Sequence, residues 1–379
     1  MKQIYLDYNA TTPVAPTVVE AMQPFFSNHY GNPSSRHALG CAAAEGIEDA
    51  RMQVAQMIAC DREDIVFTSG GTESNNLAIK GVMLSGKQLA GHMIISAIEH
   101  PSVVAPAKFL QRLGIDLTVV GCDADGVVSP EAVYSAMRAD TKLISIMHSN
   151  NETGVIQPIA DISKLCRRAG VVIHTDASQS AGKVPLSVTD LGVDLMTLAG
   201  HKYYAPKGIG ALFVREGLVL EPVLHGAEHE QGMRAGTENT PYIIGLGEAS
   251  ARSSRAIDDA VSHMSKLRDR LFNRIQAEVG IPLKVNGIGA ERLPNTLSIV
   301  FPEVTGYELL NAIPEICAST GAACHSDAVD MSPTLRAMGL SREEAAGTVR
   351  FSLGWFSREE EIDQAVELIV GAWEGLRVS

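Results

Sequence analysis

The chain has 379 residues, of which 45% are hydrophobic and 20% are charged, and its formal net charge is −13 at pH 7. This length and composition predict a globular protein with a large core and two domains, and the acidic balance argues against a nucleic-acid partner, which would require a basic face. Because no run of 18 apolar residues and no Cys-x-x-Cys spacing appears, we expect a cytoplasmic protein with reduced thiols, no membrane partner and no bound metal.

Short apolar runs alternate with helix-like stretches through the first two thirds of the chain. The helix-like stretches are 17–26, 42–59, 130–139 and 159–169. The strand-like runs are 65–67, 93–96, 117–120, 143–146, 171–173, 195–198 and 211–214. Strands separated by helices predict an α/β fold whose mostly parallel sheet is covered on both faces.

The pattern changes in the last third of the chain. A long, charge-rich helix is predicted at 250–278, then strands at 296–301 and 349–352, and a final helix at 359–376. We therefore expect a large domain over 13–252 and a smaller α+β domain. The smaller domain would contain 253–379 together with 1–12.

Two of the predicted strands end in residues that carry chemistry. Asp176 follows the run 171–173, and Lys202 follows the run 195–198. Taken alone, a lysine and an aspartate at strand ends are more often structural or solvated than functional. Pyridoxal phosphate, however, needs a lysine for its Schiff base and a carboxylate for its pyridine nitrogen, so the pair favours an enzyme that uses this cofactor.

A second segment has the features of a phosphate-binding turn. The strand-like run 65–67 leads into Thr-Ser-Gly-Gly-Thr-Glu-Ser at 68–74 and then into a helix-like stretch. Free backbone N–H groups and the positive end of a helix dipole would face an anion there. The same residues also make an ordinary helix cap, and the Gly-Lys-Ser/Thr of a nucleotide-binding P-loop is missing.

These residues and further motifs resemble the cysteine desulfurases of the NifS/IscS type, within the class V aminotransferase superfamily. The resemblance runs nearly end to end and rests on segments that occur in the family's order. They are 5–12 (YLDYNATT), 31–37 (GNPSSRH), 68–76 (TSGGTESNN), 99–101 (EHP), 150–154 (NNETG), 174–177 (HTDA), 200–202 (GHK), 206–210 (PKGIG), 234–239 (RAGTEN) and 349–354 (VRFSLG).

The resemblance implies a pyridoxal-phosphate enzyme of fold type I. Lys202 would hold the cofactor and then act as base on the substrate Cα proton, and Asp176 would pair with the pyridinium nitrogen. His100 would stack on the ring and move protons, a task suited to imidazole. Arg350 would bind the substrate carboxylate through its planar guanidinium, and Asn32 would assist there.

The resemblance also implies the remaining cofactor contacts. Asn151 and Gln179 would hydrogen-bond the phenolic oxygen of the ring. The phosphate would be bound by Gly71, Thr72 and His201, and by Thr237 reaching across the two-fold interface of a homodimer. Relatives often have serine where Ala199 stands, so one phosphate contact of the family has no counterpart at that position.

Two cysteines lie close together near the end of the chain. Cys317 ends an apolar stretch, and we expect it to be buried, whereas Cys324 follows a glycine in a small, polar segment. The stretch 324–332 has no apolar period and is predicted to be a flexible loop. Its length is similar to the long-loop branch of the family, in which this cysteine carries persulfide to an acceptor protein. The other four cysteines are interpreted as structural: Cys41, Cys60, Cys122 and Cys166.

The implied function is conversion of L-cysteine to L-alanine with transfer of sulfur to Cys324. The sulfur would serve iron–sulfur cluster assembly, with a scaffold protein as acceptor, or another sulfur-transfer pathway. A selenocysteine lyase or another class V aminotransferase would use the same Lys202 and Asp176. A non-catalytic scaffold with this fold is disfavoured, because Lys202, His100, Cys324 and Arg350 are all retained.

Overall fold

The computed structural model describes residues 3–86, 89–325 and 328–378, and between 322 and 330 the description is limited to the backbone. The strands are β1 (Ile4–Tyr5), β2 (Ile65–Thr68), β3 (His92–Ser96), β4 (Asp116–Val120), β5 (Thr141–Ser145), β6 (Val172–Asp176), β7 (Leu195–Ala199), β8 (Gly210–Val214), β9 (Lys284–Val285), β10 (Thr296–Val300), β11 (Ile316–Cys317), β12 (Ser319–Thr320), β13 (Ala322–His325), β14 (Ala328–Met331) and β15 (Thr348–Ser352).

The helices lie mainly between these strands. They are α1 (Pro16–Met22), α2 (Pro24–Ser27), α3 (Ala38–Ile58), α4 (Gly71–Leu84), α5 (Pro101–Arg112), α6 (Pro130–Ala136), α7 (Ile159–Ala169), α8 (Val188–Leu191), α9 (Thr240–Val279), α10 (Gly306–Ala312), α11 (Pro333–Ala337), α12 (Arg342–Ala346) and α13 (Glu359–Val378). Short 3-10 turns cover Arg62–Asp64, Gly200–Lys202 and Glu230–Gly232.

The larger sheet has the strand order β2-β8-β7-β6-β5-β3-β4, in which β8 runs antiparallel to both of its neighbours and the other pairs are parallel. Successive side chains of a strand point to opposite faces. Accordingly, Ile65 and Phe67 pack into one buried cluster, while Val66 packs into another. The mostly parallel α/β sheet predicted from the sequence, covered on both faces, is confirmed.

A smaller antiparallel sheet has the strand order β12-β15-β10-β9. Most of its apolar side chains share one buried cluster with the helix residues Leu267 and Trp373 and with Ile4 from the start of the chain. Strand β1 also pairs in parallel with β11, with Ile4 opposite Ile316. The first residues therefore pack with the C-terminal part, and the exact division into 13–252 against 1–12 and 253–379 stays a prediction.

Helix α9 connects the two clusters. It runs for 40 residues, or about 60 Å at 1.5 Å per residue, with Leu246 in the cluster of the larger sheet and Leu271 in that of the smaller one. The predicted helix 250–278 therefore begins ten residues too late. The first turns contain Gly245 and Gly247, which have low helix propensity. A Cβ at Gly247 would lie 2.6 Å from the Cα of Ala50, so glycine allows α3 and α9 to approach closely.

The segment around Cys324 differs from the predicted irregular loop. Strands β13 and β14 pair antiparallel, with Cys324 opposite Val329. The ladder is made by backbone groups, so it leaves little trace in the apolar pattern of this short, alanine-containing stretch. Ser326 and Asp327 lie outside the described residues, as does the side chain of Cys324.

Among the helices in the described part of the chain, none combines the length and apolar character that crossing a membrane requires.

Candidate active site

A cavity of about 280 Å³ lies where the larger sheet, the smaller sheet and the N-terminal segment meet. Its walls include residues that follow β6 and β7, at the carboxyl ends of the parallel strands, where α/β folds commonly bind ligands. Nine residues predicted for the site line it: Gly71, Thr72, His100, Asn151, Asp176, Gln179, His201, Lys202 and Arg350.

Lys202 ends the 3-10 turn that follows β7. Its Nζ donates hydrogen bonds to the backbone carbonyl oxygens of Asn9, over 2.7 Å, and Ala10, over 2.9 Å. Burial, followed by the nearby charge of Arg350, lowers the pKa of the amine to about 8, and Asp176 opposes this change. The fraction of neutral, nucleophilic amine near neutral pH is therefore much larger than for an ordinary lysine, although the protonated form still predominates at pH 7.

Asp176 is the last residue of β6, and 6% of its surface is exposed. Its Oδ2 accepts a hydrogen bond from Nδ2 of Asn75 over 2.7 Å, and its Oδ1 accepts one from the backbone N–H of Ser178 over 2.9 Å. Two donors from different segments thus fix the carboxylate at the cavity wall. Sequence analysis identified Asp176 but not Asn75, which lies on α4.

His100 is the residue that caps α5, and Pro101 begins the helix. Its Nδ1 lies 3.1 Å from the backbone nitrogen of Ser102 and 2.7 Å from its Oγ. The ring is exposed towards the cavity, but the protein packed around it lowers the pKa of the imidazole, an effect that the charge of Asp176 opposes. A largely neutral imidazole therefore faces the cavity.

The start of α4 is built to accept an anion. Gly70 has φ of +142°, a conformation open to glycine, and Gly71 and Thr72 follow in the first turn. A Cβ at Gly71 would lie 3.1 Å from both the Cβ of Ala199 and Oγ of Ser178. The hydroxyl of Ser178 thus lies beside the same glycine as the methyl of Ala199. The free N–H groups of the first helical turn complete a cradle for a phosphate.

His201 forms another wall of this end of the cavity. Its Nδ1 lies 3.1 Å from Oγ1 of Thr11. Burial, followed by the charge of Lys202, lowers the pKa of the imidazole to about 4. His201 is therefore neutral at physiological pH and can contribute a hydrogen bond, rather than a full charge, to an anion.

Asn9 and Lys183 are functional candidates that sequence analysis missed. Nζ of Lys183 donates to Oε1 of Gln179 over 2.9 Å and to Oδ1 of Asn9 over 3.3 Å, and Nε2 of Gln179 donates to the carbonyl oxygen of Asn9 over 3.0 Å. Burial, followed by the charge of Lys202, lowers the pKa of Lys183 well below its ordinary value. The available signals were the position of Asn9 inside the motif 5–12 and the four-residue spacing from Gln179 to Lys183.

Arg350 enters the cavity from β15. Its guanidinium donates to Oδ1 of Asp7, to Oγ of Ser319 over 2.8 Å, and to the backbone carbonyl oxygen of Asn151 over 3.0 Å. Its Nε is buried and has no hydrogen-bond partner among the described residues. The guanidinium is therefore held at the cavity with one donor unused and with a carboxylate already beside it.

Two predicted site residues, Asn32 and Thr237, do not line the cavity, and the position of a third, Cys324, is described only for its backbone. Asn32 is exposed, and its side chain accepts a hydrogen bond from the backbone nitrogen of Ser34. Thr237 is also exposed; its expected role concerned the site of a partner subunit and stays a prediction. Cys324 has its backbone in β13, while its side chain lies outside the described part of the chain.

The expectation that Cys317 is fully buried is wrong. Cys317 is half-buried, and its thiol donates to Oε1 of Gln3 over 3.0 Å. Successive side chains of a strand point to opposite sides, and in β11 it is Ile316 that packs into the core. Cys41 is exposed, whereas Cys166 is buried and burial raises the pKa of its thiol to about 12. A thiol with such a pKa is unreactive at neutral pH.

Comparison with known proteins places the chain in a family. The family described as aminotransferase class-V matches residues 4–365. A cysteine desulfurase IscS from Dictyoglomus turgidum (strain DSM 6724 / Z-1310) is 40% identical over 378 residues, which cover 99% of this chain and 96% of that protein. A solved structure described as a NifS-like protein has a TM-score of 0.92 at 34% identity and covers 98% of this chain and 100% of its own.

A further solved structure is described as SspA in complex with cysteine. It has a TM-score of 0.83 at 37% identity and covers 93% of this chain and 99% of its own. These similarities confirm the resemblance that the motifs indicated. The chain belongs to the aminotransferase class-V family.

Proposed function

We propose that the protein is a pyridoxal-phosphate-dependent cysteine desulfurase. The observation that carries the proposal is the single cavity that contains Lys202, Asp176, His100 and Arg350. Relatives named cysteine desulfurase IscS, similar over nearly the whole chain, support the same activity. The overall reaction is that L-cysteine and an enzyme thiol give L-alanine and an enzyme persulfide.

The residues of the cavity fit pyridoxal phosphate. Lys202 offers an amine whose pKa is lowered to about 8, Asp176 a fixed carboxylate, and the start of α4 an anion cradle beside Ser178. When bound, the cofactor supplies an electron sink for bonds at the substrate Cα. Lys202 would hold the aldehyde, and Asp176 would pair with the ring nitrogen. The phosphate would be bound by Gly71, Thr72 and His201. The hydroxyl of Ser178 would replace the hydroxyl that Ala199 lacks.

Gln179 and Asn151 are proposed to face the phenolic oxygen of the ring. Because Lys183 donates to Oε1 of Gln179, the amide of Gln179 turns its nitrogen towards Asn9 and the cavity. One N–H of that nitrogen bonds the carbonyl of Asn9, so the second remains for a ligand oxygen. Lys183 therefore sets the orientation in which Gln179 acts as a donor.

Lys202 and His100 are proposed to move the protons of the reaction. Once its amine is free, Lys202 is the base that takes the proton from the substrate Cα, which the lowered pKa makes possible near neutral pH. His100 lines the same cavity and would exchange a proton with the substrate sulfur.

Arg350 is proposed to bind the substrate carboxylate. A planar guanidinium recognises a carboxylate through two parallel hydrogen bonds, and Nε of Arg350 is the buried donor without a partner. Asp7 already accepts from the same guanidinium, so it holds Arg350 in place before the substrate arrives. The substrate carboxylate would use Nε and an adjacent N–H, and Asn32 remains a candidate for a further contact.

Cys324 is proposed to accept the sulfur. Its thiolate attacks the substrate sulfur, so a sulfur–sulfur bond forms while the Cβ–S bond breaks, and the electron pair of the broken bond stays with the carbon that a proton converts to the methyl group of alanine. No external oxidant is required. The persulfide would then pass to an acceptor protein, for iron–sulfur cluster assembly or another thiolation pathway, in the cytoplasm.

We also propose a homodimer with shared sites. The segment that carries Thr237 is fixed to its own chain by two ion pairs: Arg51 with Glu230, through two contacts of 2.8 Å, and Arg234 with Glu73, over 2.9 Å. Thr237 itself remains exposed between these anchors and α9. A rigid, exposed segment of this kind can reach the phosphate site of a partner subunit, as the family resemblance implies.

The test is incubation of the protein, loaded with pyridoxal phosphate, with L-cysteine in the presence and absence of a reductant, followed by measurement of alanine and sulfide. We expect alanine in both cases and catalytic sulfide with the reductant, which releases the persulfide. Selenocysteine in place of cysteine tests a selenocysteine lyase, and consumption of a 2-oxo acid tests an aminotransferase. Alanine formed only from selenocysteine would contradict the desulfurase assignment in favour of a selenocysteine lyase. Amino transfer without sulfide would contradict it in favour of an aminotransferase.

A further inference from the structure

A line of hydrogen bonds connects two residues that line the cavity, Asp176 and His100. Nδ2 of Asn75 lies 2.7 Å from Oδ2 of Asp176 and 2.8 Å from Oγ of Ser102. Oγ of Ser102 lies 2.7 Å from Nδ1 of His100. Asn75 is fully buried, and Ser102 is 8% exposed. The two linking residues are therefore shielded from water that could replace these bonds.

The direction of these bonds is determined from the Asp176 end. A carboxylate only accepts hydrogen bonds, so the amide of Asn75 must turn its nitrogen towards Asp176. The reversed amide would place its oxygen against the carboxylate. In the observed orientation both N–H groups of Asn75 are used, whereas its buried Oδ1 has no partner among the described residues. Leaving a buried oxygen without a partner costs free energy, so the two hydrogen bonds that the Asn75 amide donates must outweigh that cost.

The direction continues through Ser102. Its Oγ accepts a hydrogen from Asn75, which leaves its own hydrogen to be donated to Nδ1 of His100. The backbone N–H of Ser102 points at the same Nδ1 over 3.1 Å. A backbone N–H cannot reverse its role, so Nδ1 receives two donors and has no place for a proton of its own. The proton of the neutral imidazole must then lie on Nε2.

We propose that Asn75 and Ser102 are positioning residues that hold His100 as the tautomer protonated at Nε2. His100 then presents a hydrogen-bond donor to the cavity before any substrate is bound. Its meaning for catalysis rests on the proposed function, since the Nε2–H of this tautomer can donate a hydrogen bond to the substrate sulfur, whereas Nε2 cannot take a proton while it carries its own. The alternative is that these bonds only cap α5, in which case the tautomer would be indifferent to the hydroxyl of Ser102.

The test is nitrogen-15 NMR of histidine-labelled, full-length protein, with and without pyridoxal phosphate, across a pH titration. The signals of His100 are assigned by their loss in His100→Gln. We expect the neutral form to carry its proton on Nε2, and Ser102→Ala to raise the titration midpoint by about half a pH unit, because one of two donors to Nδ1 is lost. Ser102→Thr, which keeps the hydroxyl, is expected to restore the original midpoint.

His37 provides an internal control, since its Nδ1 caps α3 by accepting from the backbone N–H of Gly40 over 3.2 Å, away from Ser102. Its nitrogen-15 signals should be the same in every variant. A proton on Nδ1 of His100, or an unchanged midpoint of His100 in Ser102→Ala, would overturn the proposal. The titration needs no turnover, so a protein without desulfurase activity would leave this outcome readable.

The contribution of Asn75 is separated by a double variant. If Asn75 acts through Ser102, Asn75→Ala combined with Ser102→Ala should give the same midpoint as Ser102→Ala alone. A shift equal to the sum of the two single shifts would contradict the connected line. In the enzyme loaded with pyridoxal phosphate, the acidic limb of the profile of kcat/KM against pH should move with the titration midpoint of His100. If Asn75 and Ser102 had a purely structural role, their variants would lower activity without moving that limb.

Discussion

Lys202 donates a hydrogen bond from Nζ to the backbone carbonyl oxygen of Asn9, 193 residues earlier in the chain, over 2.7 Å. Asn9 also accepts from Gln179 and Lys183 and donates to Thr296 of the smaller sheet. The N-terminal segment therefore closes the cavity and links both sheets at the reactive lysine. For a cofactor to bind Lys202, its amine would have to give up its hydrogen bonds to the carbonyl oxygens of Asn9 and Ala10.

The first prediction concerns the attachment of the cofactor. We expect the purified protein to be yellow and Lys202→Ala to lose the visible absorbance of lysine-bound pyridoxal phosphate, because no other lysine lines the cavity among the described residues. Absorbance spectra of matched preparations are the measurement. Lys207→Ala, which changes an exposed lysine five residues away, is the control and should remain yellow. An unchanged spectrum in Lys202→Ala would reject the assignment.

The second prediction concerns assembly. In the first mixture, two inactive variants, Lys202→Ala and Thr237→Ala, are combined under conditions that exchange subunits. If Thr237 serves the partner's site, a mixed dimer places both lesions in one site and leaves the other intact, so activity should reappear. The matched control is a second mixture of Lys202→Ala with the double variant Thr237→Ala/Thr72→Ala, in which both sites of the mixed dimer are damaged. Proven exchange without recovery in the first mixture would exclude a shared site.

The third prediction concerns the anchor of the Thr237 segment. Glu230 is buried, pairs with Arg51 through two contacts of 2.8 Å, and accepts from the backbone N–H of Phe67 over 2.7 Å. Glu230→Ala should lower the free energy of unfolding by about 3–5 kcal/mol, because it leaves the buried Arg51 guanidinium paired only with the half-exposed Glu48. Denaturant unfolding is the measurement. Asp116→Asn, in an exposed pair with Arg138, is the control and should change it far less, because water and salt screen an exposed pair.

The fourth prediction concerns pH. Burial raises the pKa of Glu99 to about 8, although Ser96 and the backbone of Met147 donate to its carboxyl. Because this folded-state pKa exceeds the unfolded value, its contribution to stability is full below about pH 4.5 and is lost as the pH rises through about 8. The stability of the wild type relative to Glu99→Gln should therefore fall by up to about 1.4 kcal/mol per pH unit across that window. A constant difference would show that Glu99 is ionised in the folded protein.

The sequence predicted those parts of the fold that local patterns encode. Helix α7 was predicted at its observed bounds, and the strands of the larger sheet were placed within a few residues, because buried parallel strands are short and continuously apolar. Helix α5 was not predicted, since Pro101 and Pro106 interrupt its helical pattern. Backbone pairing, as in β13 with β14 and in β1 with β11, left no comparable signal.

The candidate site, like the fold, could be predicted from the sequence only where local patterns encode it. Lys202, Asp176 and His100 could be identified because side chains of distinct chemistry stand at strand ends or inside motifs. The bonds from Lys202 to Asn9 and from Asn75 to Ser102 join residues far apart in the chain, and one of them ends on a carbonyl group that every residue possesses. Such partners are determined by three-dimensional packing rather than by residue type, so sequence patterns could not identify them.

The most direct test of the account is to find where the sulfur of cysteine goes. The loaded protein is mixed with L-cysteine without reductant, and peptides containing Cys317 and Cys324 are analysed by mass spectrometry while alanine is counted. We predict one added sulfur atom on Cys324 for each alanine formed in the first turnover, retained in Cys317→Ser and lost in Cys324→Ser, which still binds the cofactor. Persulfide on Cys317, or alanine released without any persulfide on Cys324, would contradict the account.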